Sequence, residues 1–499
     1  GLGDLSLWGD NSNFKGKMNI NEGHFYMLFD EADAWTQRHN SILGADVEFK
    51  ANTIFRPQMS STKLANITGT ITADATALFM PYEISKLAAN NYTYSNVDYS
   101  AFMKSNGYIS TSDLSTISSD GTNTYITVND MVGYKNLSSL ADAYRKRNNL
   151  SDAERYELDY IYITGMVSQA IIDKFEALGG KDYEIYEQVH RGSVRQFSRQ
   201  VVSRIQNRNK DCQDCVAEQD YSDEHFWFNI SRNEIKKDSS SKSLGYKYRP
   251  NGFAFGYDQD FIPERLNMGL AFSYANGEAK TASSSMGVKS VNEIDEYIIS
   301  FYGKYKDVRP YVSWNLGMGY MTNDTEFVAS TVNTWGEYDT YAFFANLEAG
   351  YNFGDTVCTV IEPYVGIEVT RLFSEGFDER GTGARHFDRM TWDIVEIPIG
   401  LRMAQDLFYE NHIFTPSVDV AYARNIGDTS ATTTSSFVGN RMSPWKVSSS
   451  SDKRDTLRGN INLKINSGDL PFALNIGYSI DYRSDYYNQQ FYGTMRWDF

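Results

Sequence analysis

From residue 225 onward, apolar and polar positions alternate along the chain. A period of two places successive side chains on opposite faces of a β-strand. Leu270 and Phe272, for example, share one face of a segment whose other face carries Ala271 and Ser273. Twelve such segments of about ten residues are predicted, near 225–234, 251–260, 266–276, 294–306, 309–321, 341–353, 360–373, 391–404, 413–425, 456–466, 471–483 and 489–499.

The same alternation occurs in soluble β-sandwiches, so three further features decide between a sandwich and a membrane barrel. The segment count is even, as in single-chain outer-membrane barrels. Connections after segments one, three, five, seven and nine are long, as at 425–455, and those after segments two, four, six, eight and ten are short, as at 306–308. Aromatic residues gather at segment ends, as they do at membrane interfaces: Tyr257, Phe261, Tyr320, Tyr351 and Phe353. The pattern therefore favours an all-β membrane protein with a 12-stranded antiparallel transmembrane β-barrel over 223–499.

Composition agrees with a barrel. The mean hydropathy of −0.48 is low for a membrane protein, and no stretch approaches the roughly 20 apolar residues of a spanning helix. A barrel keeps hydropathy low because only alternate residues face lipid. The formal net charge of −17 argues against a nucleic-acid partner, since phosphate binding needs a basic surface.

The first residues, Gly1-Leu2-Gly3, carry no Met, basic region or apolar region of a secretion signal. A protein that crosses an inner membrane needs such a signal. We therefore expect the sequence to be the C-terminal piece of a longer precursor.

Two helices are predicted in a linker over 136–222. The first follows the capping box Ser151-Asp152-Ala153-Glu154 and stops near Gly179-Gly180. The second, over about 182–209, combines apolar residues at helical spacing with a row of arginines: Arg191, Arg195, Arg199, Arg204 and Arg208. A solvated arginine face and a membrane-surface helix are the alternative interpretations.

Carboxylates on the predicted lumen face of the barrel suggest where this second helix lies. They are Glu348, Glu362, Glu368, Glu396, Asp419 and Asp481. An arginine-rich helix inside the barrel would pair with these charges where water is scarce. Arg402, a basic residue, also faces the lumen, so the predicted lumen face is acidic on balance and not throughout. The sequence thus predicts a barrel plugged by 182–209.

Residues 1–135 show a third pattern, in which short alternating fragments turn on Gly and Asn. The fragments lie near 4–23, 45–55, 67–78 and 124–128. They are typical of the rungs of a β-solenoid, in which each coil stacks on its neighbour. A separate small β-domain is the alternative.

Candidate chemistry is sparse. Cys212 and Cys215 form a C-x-x-C motif, for which a local disulfide is favoured over a redox or zinc half-site. The six His residues lack metal-ligand spacing, and no Gly-x-Ser-x-Gly motif occurs. We expect no enzyme activity, no cofactor and no metal.

The order of rungs, linker helix and barrel resembles that of an autotransporter (type V secretion) over nearly the whole chain. The segment 8–16 is similar to the Gly- and Asn-rich rungs near the end of such passengers. The segment 197–205 resembles the linker helix of the translocator, and 251–258 resembles strand two of the family's barrel. Met495, Trp497 and Phe499 share the lipid face of the last strand, and an aromatic last residue resembles the signal for barrel insertion.

The resemblance implies an export mechanism. The barrel assembly machinery inserts the barrel, the passenger crosses C-terminal end first, and the helix then plugs the lumen. Some members cleave themselves at an Asn-Asn pair in the lumenal helix; here the helix has Asn207-Arg208-Asn209, which favours an uncleaved passenger.

The expected location is the bacterial outer membrane, with the passenger part at the cell surface. The expected partners are outer-membrane lipid, the barrel assembly machinery, periplasmic chaperones and the chain's own passenger, without nucleic acid, and we expect a monomer. Two alternative functions remain open: a channel with a soluble extension, and an adhesin that uses the barrel only as an anchor.

Overall fold

The structure is a computed structural model. It describes residues 4–29, 41–112, 114–129, 152–164, 178–180, 182–206, 224–238, 245–263, 265–281, 289–329, 332–354, 359–448, 453–467 and 472–498. The chain forms two compact units, Gly1–Phe175 with Met442–Trp445, and Glu176–Arg441 with Lys446–Phe499. The domain boundaries at 135/136 and 222/223 stay predictions.

The first unit begins with ten short strands: β1 (Asp4–Trp8), β2 (Asp10–Asn11), β3 (Lys17–Ile20), β4 (His24–Leu28), β5 (Ile42–Leu43), β6 (Asp46–Phe49), β7 (Ile54–Pro57), β8 (Asn66–Ile67), β9 (Ile71–Ala73) and β10 (Leu78–Phe79). The chain visits three parallel sheets in turn, ordered β1-β4-β7-β10, β2-β5-β8 and β3-β6-β9. Phe25, Phe55 and Phe79 lie in register on successive strands: the rings of Phe25 and Phe55 stack with centroids 5.7 Å apart, and that of Phe79 lies edge-on to Phe55 at 5.8 Å. Each coil therefore buries the apolar face of the next, as in a solenoid.

The fragment 124–128 was wrongly predicted as a rung. It is one of four antiparallel strands, β11 (Asn90–Tyr94), β12 (Ser110–Thr111), β13 (Ser115–Ser119) and β14 (Thr124–Val128), ordered β11-β14-β13-β12. The turn between β13 and β14 gives the reason, because Gly121 there has a φ of 87°. The hydroxyl of Tyr125 and the backbone N–H groups of Asn123 and Thr122 donate to Asp120 at 2.6, 2.7 and 2.8 Å. These donors hold the pKa of Asp120 at about 2, and they stabilise a hairpin in place of a further coil.

Helix α1 (Asp152–Thr164) is held in the first unit by a buried ion pair. Nη2 of Arg56, on β7, lies 2.6 Å from Oδ2 of Asp159 on α1, and neither side chain is exposed. Asp159 also accepts hydrogen bonds from the backbone N–H groups of Glu83 and Ser85, at 3.0 and 3.1 Å. Burial raises the pKa of Asp159, and Arg56 opposes that shift.

Three tyrosine rings surround the Arg56 guanidinium at 5.1 to 5.2 Å: Tyr26, Tyr82 and Tyr156.

The described part of this unit also contains two 3-10 turns, Ile84–Lys86, to which Ser85 belongs, and Ser100–Phe102. The predicted continuation of α1 over 165–177 lies outside the described residues.

The second unit is a closed barrel around helix α2 (Tyr183–Gln206). Its twelve strands are β15 (Glu224–Lys237), β17 (Asn251–Ile262), β18 (Leu266–Thr281), β19 (Lys289–Lys306), β20 (Pro310–Ala329), β21 (Val332–Tyr351), β22 (Thr359–Ser374), β26 (Met390–Gln405), β28 (His412–Asn425), β31 (Asp455–Ser467), β32 (Phe472–Arg483) and β33 (Tyr486–Asp498). They are antiparallel in this order, and pairing between β15 and β33 closes the barrel. The predicted 12-stranded antiparallel barrel is confirmed.

Seven shorter strands lie in the connections: β16 (Tyr246–Tyr248), β23 (Phe377–Asp378), β24 (Arg380–Thr382), β25 (Arg385–Phe387), β27 (Leu407–Tyr409), β29 (Thr432–Phe437) and β30 (Asn440–Ser448). Of these, β23, β25, β29 and β30 form a separate sheet, which we call the external sheet. The long loop predicted after the fifth segment is instead a hairpin, because β20 and β21 stay paired up to Ala329 and Val332. Residues such as Phe327 and Trp335 extend the alternation beyond the predicted segments.

The outer face of the barrel carries two aromatic bands. One is a row of ring contacts across seven strands, with centroids 5.2 to 6.3 Å apart: Phe228, Phe253, Tyr274, Tyr297, Tyr320, Tyr341 and Phe373. The other lies towards the short connections and contains the exposed residues Tyr257, Phe261, Tyr351 and Phe353. Exposed apolar residues, such as Leu316 and Met318, lie between the bands. This is the surface that a lipid bilayer covers in barrels of this type.

Candidate functional site

Helix α2 lies inside the barrel and passes through its lumen once. At its start, Asp182 accepts a hydrogen bond from Ser290, which lies beside the long connection between β18 and β19. Near its end, Arg204 contacts Asp258, which lies towards the short turn between β17 and β18. Neither α2 nor α1, the α-helices of the described residues, is long and apolar enough to span a membrane.

One face of α2 is apolar and fills the lumen core. Val194, Phe197, Val201 and Ile205 are buried together with wall residues. The ring of Phe197 lies edge-on to that of Phe344, with centroids 6.4 Å apart. This face follows the helical spacing of apolar positions in the sequence, and its burial excludes water from that side of the lumen.

Another face of α2 carries arginines that contact two of the six predicted lumen acids. Glu396 on β26 contacts Arg191, at 3.1 Å, and Arg195. Asp481 on β32 contacts Arg195 at 3.3 Å and Arg199 at 2.5 Å. Because both carboxylates are almost fully buried, they require such partners to remain charged inside the protein.

The other four predicted lumen acids contact arginines of the barrel wall, so the expected pairing with the helix is wrong for them. Glu368 receives two hydrogen bonds from Arg458, at 2.7 and 2.9 Å. Arg402 lies 3.2 to 3.4 Å from three acids: Glu348, Glu362 and Asp419. Glu362 and Asp419 are direct cross-strand neighbours of Arg402, so they reach it without crossing the lumen.

Arg204 contacts an acid that the sequence analysis missed. Its Nη2 atom lies 3.0 Å from Oδ1 of Asp258, whose other oxygen accepts a hydrogen bond from the Tyr302 hydroxyl at 2.9 Å. The Tyr302 hydroxyl in turn accepts from the indole N–H of Trp227 at 2.7 Å. Tyr257 faces outward, so the alternation of the strand places Asp258 inward and was the signal that would have found it.

Further hydrogen bonds between the helix and the wall set the position of α2 along the lumen. The hydroxyl of Ser198 accepts hydrogen bonds from Asn346 and, at 2.9 Å, from Asn315. Lys237 donates to Gln188 at 3.1 Å, and His190 Nε2 lies 2.9 Å from Oδ1 of Asn323. A shift of the helix by one residue would break these contacts together, because each needs one side chain at one height.

The remaining predicted residues lie apart from this site. Met495 and Trp497 lie on the outer face of β33, where the ring of Trp497 is 6.1 Å from that of Phe226. Four predicted residues lie outside the described part of the chain: Arg208, Cys212, Cys215 and Phe499. The insertion signal and the disulfide stay predictions. Among the described residues, no group of three His, Cys, Asp or Glu side chains is arranged to hold a metal ion.

The change Glu396→Gln tests the charged contacts of the helix. It keeps the shape of the side chain but removes the charge opposite Arg191 and Arg195 of the helix and Arg458 of the wall, which costs about 1–3 kcal/mol. We expect trypsin to cleave within α2 about tenfold faster in detergent-solubilised protein, since cleavage follows the population of the displaced helix.

The matched control is Asp393→Asn, on the same strand. Asp393 pairs with Arg371 at 3.2 Å, but both side chains are more than half exposed. This change should leave the cleavage rate near that of the wild type, because exposed pairs contribute little. Equal rates in both variants would contradict the role assigned to Glu396.

The barrel is closed, its exterior faces lipid, and a helix of the same chain lies in its lumen. These features define the class of single-chain outer-membrane barrels that hold a segment of their own chain in the lumen. Residues 226–479 match the family described as Autotransporter beta-domain. The chain belongs to this family. It is a protein of the bacterial outer membrane with a surface-exposed part.

Individual relatives are distant. Over 254 residues the chain is 23% identical to Outer membrane protein A of Rickettsia rickettsii, a match that covers 46% of this chain and 11% of that protein. The same protein of Rickettsia conorii matches at 23% identity over 254 residues, which are 46% of this chain and 12% of that protein. The matched part therefore spans only about a tenth of the length of these relatives.

Solved structures similar to this chain include two from this family. The translocator domain of autotransporter NalP from Neisseria meningitidis is 12% identical, with a TM-score of 0.43, 62% of this chain and 98% of that chain being covered. The beta domain of the Bordetella autotransporter BrkA is 14% identical, with a TM-score of 0.41, over 56% of this chain and 100% of that chain.

Proposed function

We propose that the barrel supports export of the region N-terminal to it and then anchors that region at the cell surface. The observation that carries this proposal is the path of α2, which enters the lumen at the end with long connections and leaves it at the end with short turns. In outer-membrane barrels the long loops face the outside and the short turns face the periplasm. The N-terminal side of α2 therefore lies at the outer end of the barrel.

The lumen contacts support anchoring as well as export. Withdrawing α2 would leave Asp481 without its contacts to Arg195 and Arg199 and would expose the apolar face of the helix. Breaking buried ion pairs in this way is strongly unfavourable. The helix therefore stays in place once export has ended.

The partners follow from this role. We propose that the barrel assembly machinery inserts the barrel with the help of periplasmic chaperones, using the C-terminal strand that bears Met495 and Trp497. The chain acts as a monomer, and its part in export is that of a conduit and anchor, without enzymatic activity. Adhesion is proposed as a property of the exported region.

Protease treatment of intact cells tests the proposal. We expect added protease to degrade residues 4–129 while the strands from Glu224 to Asp498 remain protected, because the lipid bilayer covers the barrel. Antibodies against each region measure the outcome by immunoblotting. Permeabilised cells, in which periplasmic proteins also become accessible, are the control. Protection of both regions in intact cells would refute the proposal.

A further inference from the structure

We propose that strand β25 of the external sheet carries a recognition site for residues 178–180 and 182–183, where the chain enters α2, and that occupation of this site holds the helix in the lumen and seals the mouth of the barrel. The inference rests on the proposed function and deepens it. It identifies the contact that holds the outer end of the helix.

The centre of the site is Arg385, a buried side chain of β25. Its guanidinium donates to both carboxylate oxygens of Asp182, at 3.2 and 3.4 Å, and to the carbonyl oxygen of Leu178, at 3.4 Å. Two-pronged contacts between arginine and a carboxylate are specific as well as strong. Arg385 therefore recognises one acid at one position of the chain.

A second carboxylate, outside that segment, also holds Arg385. Glu379 accepts hydrogen bonds from Arg385 Nη2 at 2.6 Å and from Nε at 2.8 Å, and it also accepts the backbone N–H of Arg385 at 3.0 Å. Burial lowers the pKa of Arg385, but the charges of Asp182 and Glu379 outweigh that effect and raise it above the ordinary value. Glu379 thus holds the guanidinium that contacts Asp182.

An aromatic contact completes the recognition. The ring of Phe387 lies 4.8 Å from that of Tyr183, and Phe377 and Tyr338 pack against the same ring at 5.6 and 5.1 Å. Gly180 adopts a φ of 99°, and a Cβ atom at this position would lie 2.4 Å from the Phe387 ring. Only a segment with glycine at this position, an acid two residues later and then an aromatic residue fits the site.

Bilayer recordings of the purified full chain test the proposal. In the wild type we expect a closed barrel with rare openings. Arg385→Met removes the central contact and Asp182→Asn removes its target, and each should raise the fraction of time open at least tenfold. Asp182→Asn leaves the pair of Arg385 and Glu379 intact, so a loss of the external sheet would not explain its effect.

Arg441→Met is the matched control, since Arg441 pairs with Asp378 within the same sheet at 2.6 Å and both side chains are exposed. It should behave as the wild type. Slower migration of unheated samples in gels would identify variants whose barrel has not folded. If Arg385→Met and Asp182→Asn both remain closed, the recognition site is refuted while the proposed function stands. A wild-type protein that is itself open would count against the proposed function instead.

Discussion

Removal of residues 182–206 is expected to convert a poorly conducting protein into one with a large and steady conductance in planar bilayers. The helix fills the lumen with apolar side chains on one face and arginines paired to the wall on another. Its loss opens a water-filled path about 10 Å wide, the diameter of an α-helix with its side chains. We expect the conductance to rise by at least about tenfold, because a wide polar lumen then carries ions freely.

The control for this deletion is a chain that lacks residues 4–129 but keeps α2. It should remain closed, because the helix and not the N-terminal region occupies the lumen. Both variants must show the heat-dependent gel mobility of a folded barrel. A large steady conductance in the intact protein would instead favour the channel interpretation.

The second large effect is expected from Asp159→Ala in the first unit. This change leaves the buried guanidinium of Arg56 without its carboxylate and removes the acceptor for the Ser85 backbone N–H. Breaking a buried pair by removing one partner costs about 3–5 kcal/mol. Urea unfolding of the full chain, followed by proteolysis of residues 4–164 while the barrel stays intact, measures the free energy of unfolding of this unit.

Two comparisons keep the interpretation of this prediction specific. The double change Arg56→Met with Asp159→Leu should recover only part of the lost stability, because it removes the unpaired buried charge but leaves the backbone N–H groups of Glu83 and Ser85 without their acceptor. Glu48→Gln should have little effect, since its pairs with Lys17 and Lys50 are partly exposed to solvent. If Asp159→Ala unfolds at the same urea concentration as the wild type, the ion pair does not hold α1 in place.

The sequence predicted the elements whose signal is local. Each barrel strand was predicted because alternation of side chains is a property of the extended backbone itself. The outward direction of Leu270 and the inward direction of Asp481 follow from this alternation, without any knowledge of the neighbouring strands. The helix of the lumen was likewise predicted, because apolar residues and arginines each recur at helical spacing over Tyr183–Gln206.

The sequence could not predict which side chains contact each other when the two residues come together only after the chain has folded. The alternation along the strands placed both Glu362 and Glu396 on the lumen face, but it did not show which arginine each acid contacts. The register between β22, β26 and β28 puts Arg402 beside Glu362, so that this acid is satisfied within the wall. Glu396 contacts Arg458 of the wall and also Arg191 of the helix, which is 205 residues away along the chain.

By itself, then, the sequence determined the number of barrel strands, which of their side chains face outward and inward, the helix that precedes them in the chain, and the family of the protein. The tertiary structure alone decided which charges meet, that an antiparallel sheet follows the solenoid after β10, and how Arg385 contacts Asp182. The physical reason is the distance along the chain over which each signal acts. Alternation and helical spacing are repeated every few residues, whereas an ion pair forms only within about 4 Å and depends on closure of the barrel and the height of the helix within it.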